Sequence, residues 1–201
     1  MRFIPFFKLA LLKGLLVLSL YFGGDQKEDF TNHSSALSEN DMEINFEEAC
    51  PNHLEYSDSI SVNFFLLDEC RISQNISGEI NYVRKQFDQA PFHFVSYFPN
   101  SSSTDEKIKR FLTNFKINIP YFTDYDKTKT RFYGATIAPE VVVYDEKNQQ
   151  LLYRGRIDNS YDKVGSRRRV VTSRDLRNAL NAILKQEEIK EKETQAIGCF
   201  I

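Results

Sequence analysis

Three cysteines, Cys50, Cys70 and Cys199, are the side chains of this chain best suited to covalent chemistry. An odd number of thiols leaves at least one free or exchanging in an oxidising compartment. No paired Cys-x-x-Cys is present, and His33, His53 and His93 are scattered, so the spacing fits no metal site. Cys70 has the most informative surroundings, Asp68-Glu-Cys70-Arg-Ile-Ser73, between an apolar run and a helical pattern. A cysteine at a helix start faces unpaired N–H groups and the positive end of the macrodipole, which favour the reactive thiolate. Arg71 adds positive charge, Asp68 and Glu69 oppose it, and Ser73 can donate a hydrogen bond to the sulfur. The competing reading of the same position is an inert cysteine buried at a strand end.

A second junction, Gly134-Ala-Thr-Ile-Ala138-Pro139-Glu, stands immediately before a valine-rich run. An X-Pro bond adopts the cis form at low cost compared with other peptide bonds. The alternative is an ordinary trans proline opening an edge strand.

The elements that must position these residues follow from periodicity. Ser61–Leu67 is a short apolar, aromatic run typical of a buried strand. Ile72, Ile76, Ile80, Val83 and Phe87 recur at helical spacing, which predicts a helix of roughly four to five turns with one buried stripe. Phe92–Phe98 alternates as a second strand. Ser103-Thr-Asp-Glu106 has capping-box spacing, and Ile108, Phe111, Leu112 and Phe115 form the face of the helix it would open. Residues 119–123 read as a short strand and Lys127–Tyr133 as a helical turn or two. Glu140–Asp145 and Leu151–Arg156 read as a hairpin. Leu176, Leu180, Ile183 and Leu184 mark a last amphipathic helix, with Thr172 or Ser173 available as its cap. Strands joined through helices should be parallel and the hairpin antiparallel, which predicts an α/β fold with a mixed β-sheet flanked by helices.

That order resembles the thioredoxin-like fold, in which a cis-proline at the second junction packs against the active cysteine and exposes backbone to an extended substrate. Residues 46–201 are expected to form this domain. From about Asn63 onward the chain resembles the redoxin or TlpA-like thiol-disulfide oxidoreductases exported by bacteria. The resemblance rests on Glu69-Cys70-Arg-Ile-Ser73-Gln74, Ala138-Pro139-Glu140-Val141, Tyr153-Arg-Gly-Arg-Ile-Asp158 and Glu193-Thr-Gln-Ala-Ile-Gly-Cys199. It implies catalytic roles for Cys70, Ser73 and Cys199, substrate contacts at Ala138 and Pro139, and no cofactor. The partners it implies are protein or small-molecule disulfides and an external thiol reductant.

The motif also departs from the family pattern. Ser73 stands where the second cysteine of Cys-x-x-Cys is expected and Arg71 where a proline is. A dithiol site releases its mixed disulfide when the second thiol attacks the first, which a serine does not do. Three routes remain: Cys199 folds back as the resolving thiol, an external thiol resolves a monothiol Cys70, or the chain only binds extended clients. Cys50 is a further possible partner of Cys70. Gly198 and Phe200 suit a docked tail.

Other classes fit less well. A peroxiredoxin-type peroxidase needs a threonine three residues before its cysteine and a proline seven before, where this chain has Leu67 and Asn63. A copper carrier of the same fold needs two cysteines and a histidine. Arg154, Arg156 and Asp158 read as structural salt bridges at a sheet end. The formal net charge of -2 gives no electrostatic case for nucleic acid.

At the N-terminus Arg2, Lys8 and Lys13 precede an uncharged run from Gly14 to Gly24. A positive segment followed by roughly 7–15 apolar residues describes a secretory signal. Tyr21 or Phe22 falls where a small residue is wanted for cleavage, so residues 1–24 read as a signal peptide or a retained membrane anchor. Residues 25–45 read as an acidic polar linker. The expected location is the periplasm or cell envelope.

Overall fold

The computed structural model describes residues 58–201. The signal or anchor at 1–24, the linker at 25–45 and Cys50 lie outside the described residues. Five strands form the main sheet: β1 (Ile60–Phe65), β2 (Phe92–Phe98), β3 (Tyr121–Thr123), β5 (Glu140–Asp145) and β6 (Gln150–Gly155). Four helices, α1 (Arg71–Gln86), α2 (Asp105–Asn114), α3 (Thr128–Tyr133) and α4 (Asp175–Leu184), join or follow them. Short strands β4 (Ile137–Ala138), β7 (Tyr161–Lys163), β8 (Ser166–Arg167) and β9 (Cys199–Phe200) complete the order.

The sheet runs β3-β2-β1-β5-β6. β1, β2 and β3 are parallel because helices connect them, β5 is antiparallel to β1, and β6 returns antiparallel to β5 as a hairpin. This is the thioredoxin-like arrangement, a mixed sheet flanked by helices.

Alternation sorts the strands into two faces. Ile60, Val62 and Phe64 of β1 align with Phe92 and Phe94 of β2 and with Val141 and Val143 of β5. They share one core with Ile76, Ile80 and Val83 of α1, Ile108 and Phe111 of α2, and Leu176, Leu180 and Ile183 of α4. On the other face Phe65, Tyr97 and Val142 pack against Tyr133 and Ala135, at and just after the short α3. Ser61 and Asn63 occupy that face beneath this cover. Asn63 Nδ2 donates to Ser61 Oγ at 2.8 Å and Ser61 donates to Glu146 at 2.6 Å, while the buried Asn63 Oδ1 has no hydrogen-bond partner among the described residues.

Two expected caps are displaced. Thr104, not Ser103, caps α2 by accepting from the Lys107 N–H. The Ser103 hydroxyl is instead drawn to the buried Asp68 carboxylate. At α4 the cap position is Arg174 with no side-chain cap bond, and Ser173 donates to Asp175 at 2.7 Å. Leu184 is half exposed and outside the core stripe, where Ala179 takes part instead.

The charged residues after β6 form ion pairs. Arg156 bonds Asp175 at 2.8 Å, and Arg174 bridges Asp158 and Glu79 at 2.8 and 2.7 Å. Glu79, an acid on the otherwise apolar face of α1, is buried and also held by Arg177.

Candidate functional site

The last residue before α1 is Cys70, in extended backbone with φ -73° and ψ 115°. The chain leaves β1 at the sheet's end and enters the helix within a few residues, so the sulfur sits where both elements converge. Its immediate packing partners are Leu67, Ile72 and Ala138, with Tyr161, Ile197 and Ile201 against them. The Ala138–Pro139 peptide is cis. Cys70 Sγ lies 3.4 Å from the Ala138 carbonyl oxygen, to which the protonated thiol can donate. The two junctions separated in sequence thus meet at one point.

Cys199 arrives there on the tail, which Gly198 and Phe200 suit to docking but whose register no local periodicity fixes. Its strand β9 pairs antiparallel with β4, Cys199 opposite Ala138 and Phe200 opposite Ile137. The Ile201 N–H extends the ladder to the Thr136 carbonyl at 3.2 Å. Cys199 Sγ then stands 2.8 Å from Cys70 Sγ, and both are free thiols.

What holds the tail is the second pair of motifs, which interlock. Residues 192–194 run along the open edge of β6: the Arg154 N–H donates to Lys192 O at 2.9 Å, and the Thr194 N–H to Arg154 O at 3.0 Å. The Thr194 hydroxyl is 2.6 Å from the Tyr153 hydroxyl and accepts from the Arg156 N–H at 3.1 Å. Arg154 pairs with Glu193. Gly155 has φ +142° and its α-carbon faces the Thr194 carbonyl so closely that a Cβ would collide with it. Tyr153-Arg-Gly-Arg and Glu193-Thr are therefore two halves of one clasp.

Electrostatics divide the two thiols. Burial pushes the Cys70 thiol up, but the hydrogen bond from Cys199, the N–H groups of Ser73 and Ile72 and the Ser73 hydroxyl outweigh it, leaving the pKa below the ordinary thiol value of 9.0. Cys199 is pushed up to about 11 by burial, by its hydrogen bond to Cys70 and by the charge there. Of the pair, Cys70 is therefore the first to ionise. Arg71 is no part of this balance, and neither are Asp68 and Glu69. Asp68 is engaged with Ser103, and Glu69 pairs with Lys107 at 2.7 Å, away from the sulfur. Ser73 is fully buried, and its hydroxyl also accepts from the Leu67 N–H at 3.4 Å.

Glu140 is a residue sequence reasoning passed over. Buried beside the cis-proline, it accepts from the N–H groups of Thr136 and Ile137 at 2.8 and 3.3 Å and so shapes the loop that pairs with the tail. Burial raises its pKa above the ordinary 4.5, more than those N–H groups and Arg154 lower it. A carboxyl raised on folding binds its proton more tightly in the native state. Its contribution is therefore most favourable below the unfolded pKa and declines as pH rises through the folded one. Glu140→Gln keeps an acceptor and removes the titration. The urea midpoint at about pH 7, taken relative to that at about pH 4, should then be higher in the variant than in the parent; an unchanged difference would refute the assignment.

Among the described residues no group of three or more His, Cys, Asp or Glu side chains is placed to hold a metal ion. Nor is any described helix long and apolar enough to cross a membrane.

No family profile and no curated protein matches the chain. Solved structures do. An uncharacterized conserved protein from Geobacillus kaustophilus is 25% identical with a TM-score of 0.63, over 72% of this chain and 77% of that one. A hypothetical protein from Sinorhizobium meliloti is 23% identical with a TM-score of 0.62, over 72% and 79%. A secreted Mycobacterium tuberculosis disulfide oxidoreductase is 15% identical with a TM-score of 0.41, over 47% and 67%. The chain is thioredoxin-like in fold, a mixed sheet of order β3-β2-β1-β5-β6 flanked by helices.

Proposed function

We propose that this protein is an exported thiol-disulfide oxidoreductase whose working pair is Cys70 and Cys199. The observation that carries the reading is the 2.8 Å separation of two free sulfurs beside the cis-Pro139 loop. Cys199 takes the place in the cycle that Ser73 leaves vacant. Export is supported by the basic and apolar pattern at the N-terminus, and the destination proposed is the periplasm or cell envelope, with the chain free or anchored there.

The cycle balances as two exchanges. The Cys70 thiolate attacks one sulfur of a client disulfide; a bond forms between Cys70 and that sulfur, the client's S–S bond breaks, and the second client sulfur leaves as a thiolate that takes up a proton. Capturing Cys70 in the mixed disulfide removes its charge and its acceptor. Those are two of the three causes holding the Cys199 proton, so Cys199 becomes the next thiol to ionise. Its thiolate attacks the Cys70 sulfur, forming the Cys70–Cys199 disulfide and expelling the first client sulfur as a thiolate. The client gains two electrons and the pair loses two; an external dithiol restores the pair, and the sequence runs in reverse against a more reducing partner. Ser73 assists by donating to the Cys70 thiolate, and Ala138 and Pro139 form the contact edge for the client.

Disulfide mapping of the exported, thiol-blocked protein by mass spectrometry tests the reading. A Cys70–Cys199 cross-linked peptide is expected. A Cys50–Cys199 bond with Cys70 free would sink the two-thiol cycle and leave a monothiol. In Cys199→Ser the cycle should stall at the first exchange, so a covalent adduct between Cys70 and the client accumulates and survives non-reducing electrophoresis.

A further inference from the structure

Cys70 is only 3% exposed, and much of what covers it is the tail: Ile197 and Ile201 pack on its cluster while Cys199 meets its sulfur. The tail does so as a strand, antiparallel to β4, using the backbone edge of Ile137 and Ala138 beside the cis-proline. An incoming client that is to place a sulfur on Cys70 needs that same edge. Client and tail therefore exclude each other.

We propose that residues 197–201, Ile-Gly-Cys-Phe-Ile, act as an internal copy of the client. The ligand class this site takes is then an extended polypeptide of pattern apolar–Gly–Cys–any–apolar, which competes with the tail for β4. This deepens the oxidoreductase reading and rests on it for the identity of the site.

Each position of the pattern has its own physical cause. The residue before the cysteine faces the Ala138 carbonyl: a Cβ on Gly198 would collide with that oxygen and its carbon and crowd the Ile137 side chain. The oxygen belongs to backbone beside a cis peptide and does not swing aside as a flexible side chain would, so anything larger than glycine prevents close pairing. Ile197 is partly buried against the apolar cluster of Leu67, Ile72 and Ala138, and with Ile76, Pro139 and Tyr161 it lines a small cavity of about 20 Å³, so an apolar side chain suits this position. Ile201 packs against the clusters around both Cys70 and Tyr133. Phe200 is 87% exposed, so the position after the cysteine is not read.

The competition has a consequence for the cycle. Resolution by Cys199 requires the tail to re-pair with β4, and that displaces the client strand as its sulfur is expelled. Release of the product is thereby coupled to the second exchange, and the oxidised protein, its tail tethered to Cys70, is closed to polypeptide clients.

The test measures non-covalent binding, so that it does not depend on turnover. Fluorescent peptides Ile-Gly-Ser-Phe-Ile and Ile-Ala-Ser-Phe-Ile, with serine in place of the reactive cysteine, are titrated by anisotropy onto full-length protein. Three forms are used: Cys199→Ser, Cys199→Ser with Gly198→Val, and the parent oxidised to its disulfide. The glycine peptide should bind the double variant about 10-fold or more tightly than it binds Cys199→Ser, because valine undocks the competing tail. The alanine peptide should bind the double variant at least about 10-fold more weakly than the glycine peptide. The oxidised parent should bind neither. Equal affinity for the two peptides, or affinity indifferent to Gly198→Val, would overturn the proposal. Turnover of a small disulfide such as hydroxyethyl disulfide, which needs no strand pairing, is measured in parallel on the parent. Loss of peptide selectivity with that turnover intact condemns the tail-as-client reading alone.

Discussion

Cys70→Ser is expected to abolish turnover of a disulfide substrate, a loss on the order of 10³-fold or more, if Cys70 is the nucleophile proposed above. Serine occupies nearly the same volume and still reaches the Ala138 carbonyl, so thermal unfolding should stay close to that of the parent. The two measurements together separate a chemical role from a structural one. A variant that keeps its turnover would show that another thiol, or none, does the work.

A companion measurement tests how the thiolate is made. Alkylation of Cys70 by iodoacetamide follows the ionised fraction, so its rate should rise through a midpoint below 9.0. Cys199→Ala removes the largest single hydrogen-bond contribution lowering that pKa. The midpoint should therefore move upward, and reactivity at neutral pH should fall. A midpoint unmoved by Cys199→Ala would mean that the helix start alone, through Ser73 and Ile72, sets the thiolate.

The largest effect on stability is expected at Glu79. Its carboxylate accepts from Arg177 Nε and Nη2 at 2.5 and 2.6 Å and from Arg174 Nη1 at 2.7 Å. It thereby ties α1 to the start of α4. Glu79 itself is 8% exposed, so Glu79→Ala empties a buried acceptor site and leaves the Arg177 guanidinium, stacked 3.6 Å over the Tyr82 ring, without its hydrogen-bonded carboxylate. Arg174 keeps Asp158 at 2.8 Å and its side chain is 40% exposed to solvent, which softens the loss. Breaking one side of a buried ion pair costs about 3–5 kcal/mol, and the reach of both arginines to water sets this case near the lower end, about 3 kcal/mol. The melting temperature should fall by about 10 °C. Glu79→Gln, which keeps one acceptor, should lose less. A Glu79→Ala chain as stable as the parent would mean that the two helices are held by their apolar contacts alone.

The elements most legible beforehand were those whose burial is periodic. β2 and β5 span Phe92–Phe98 and Glu140–Asp145, the bounds that alternation and the valine run mark. The stripe Ile72, Ile76, Ile80 and Val83 is the buried face of α1. Caps were less legible, because a hydroxyl chooses between its own helix and any stronger acceptor nearby. Ser103 went to Asp68, 35 residues away, and Thr104 took the cap. Arg154, Arg156 and Asp158 were recognisable as ion-pair formers, but Glu79 looked like any surface acid of an amphipathic helix. Only the approach of α4 turned it inward.

Local order is what the sequence by itself determined: which segments are strands or helices, that a cysteine opens α1, and that a proline precedes the valine-rich strand. These depend on neighbours a few residues apart, where side-chain spacing carries the signal. The encounter of Cys199 with Cys70, 129 residues apart, was decided by the tertiary structure alone. A two-residue strand has no period to read. Its place is set by backbone geometry that exists only once the β6 edge has clasped Thr194 and the Pro139 loop offers an unpaired edge for the tail to meet.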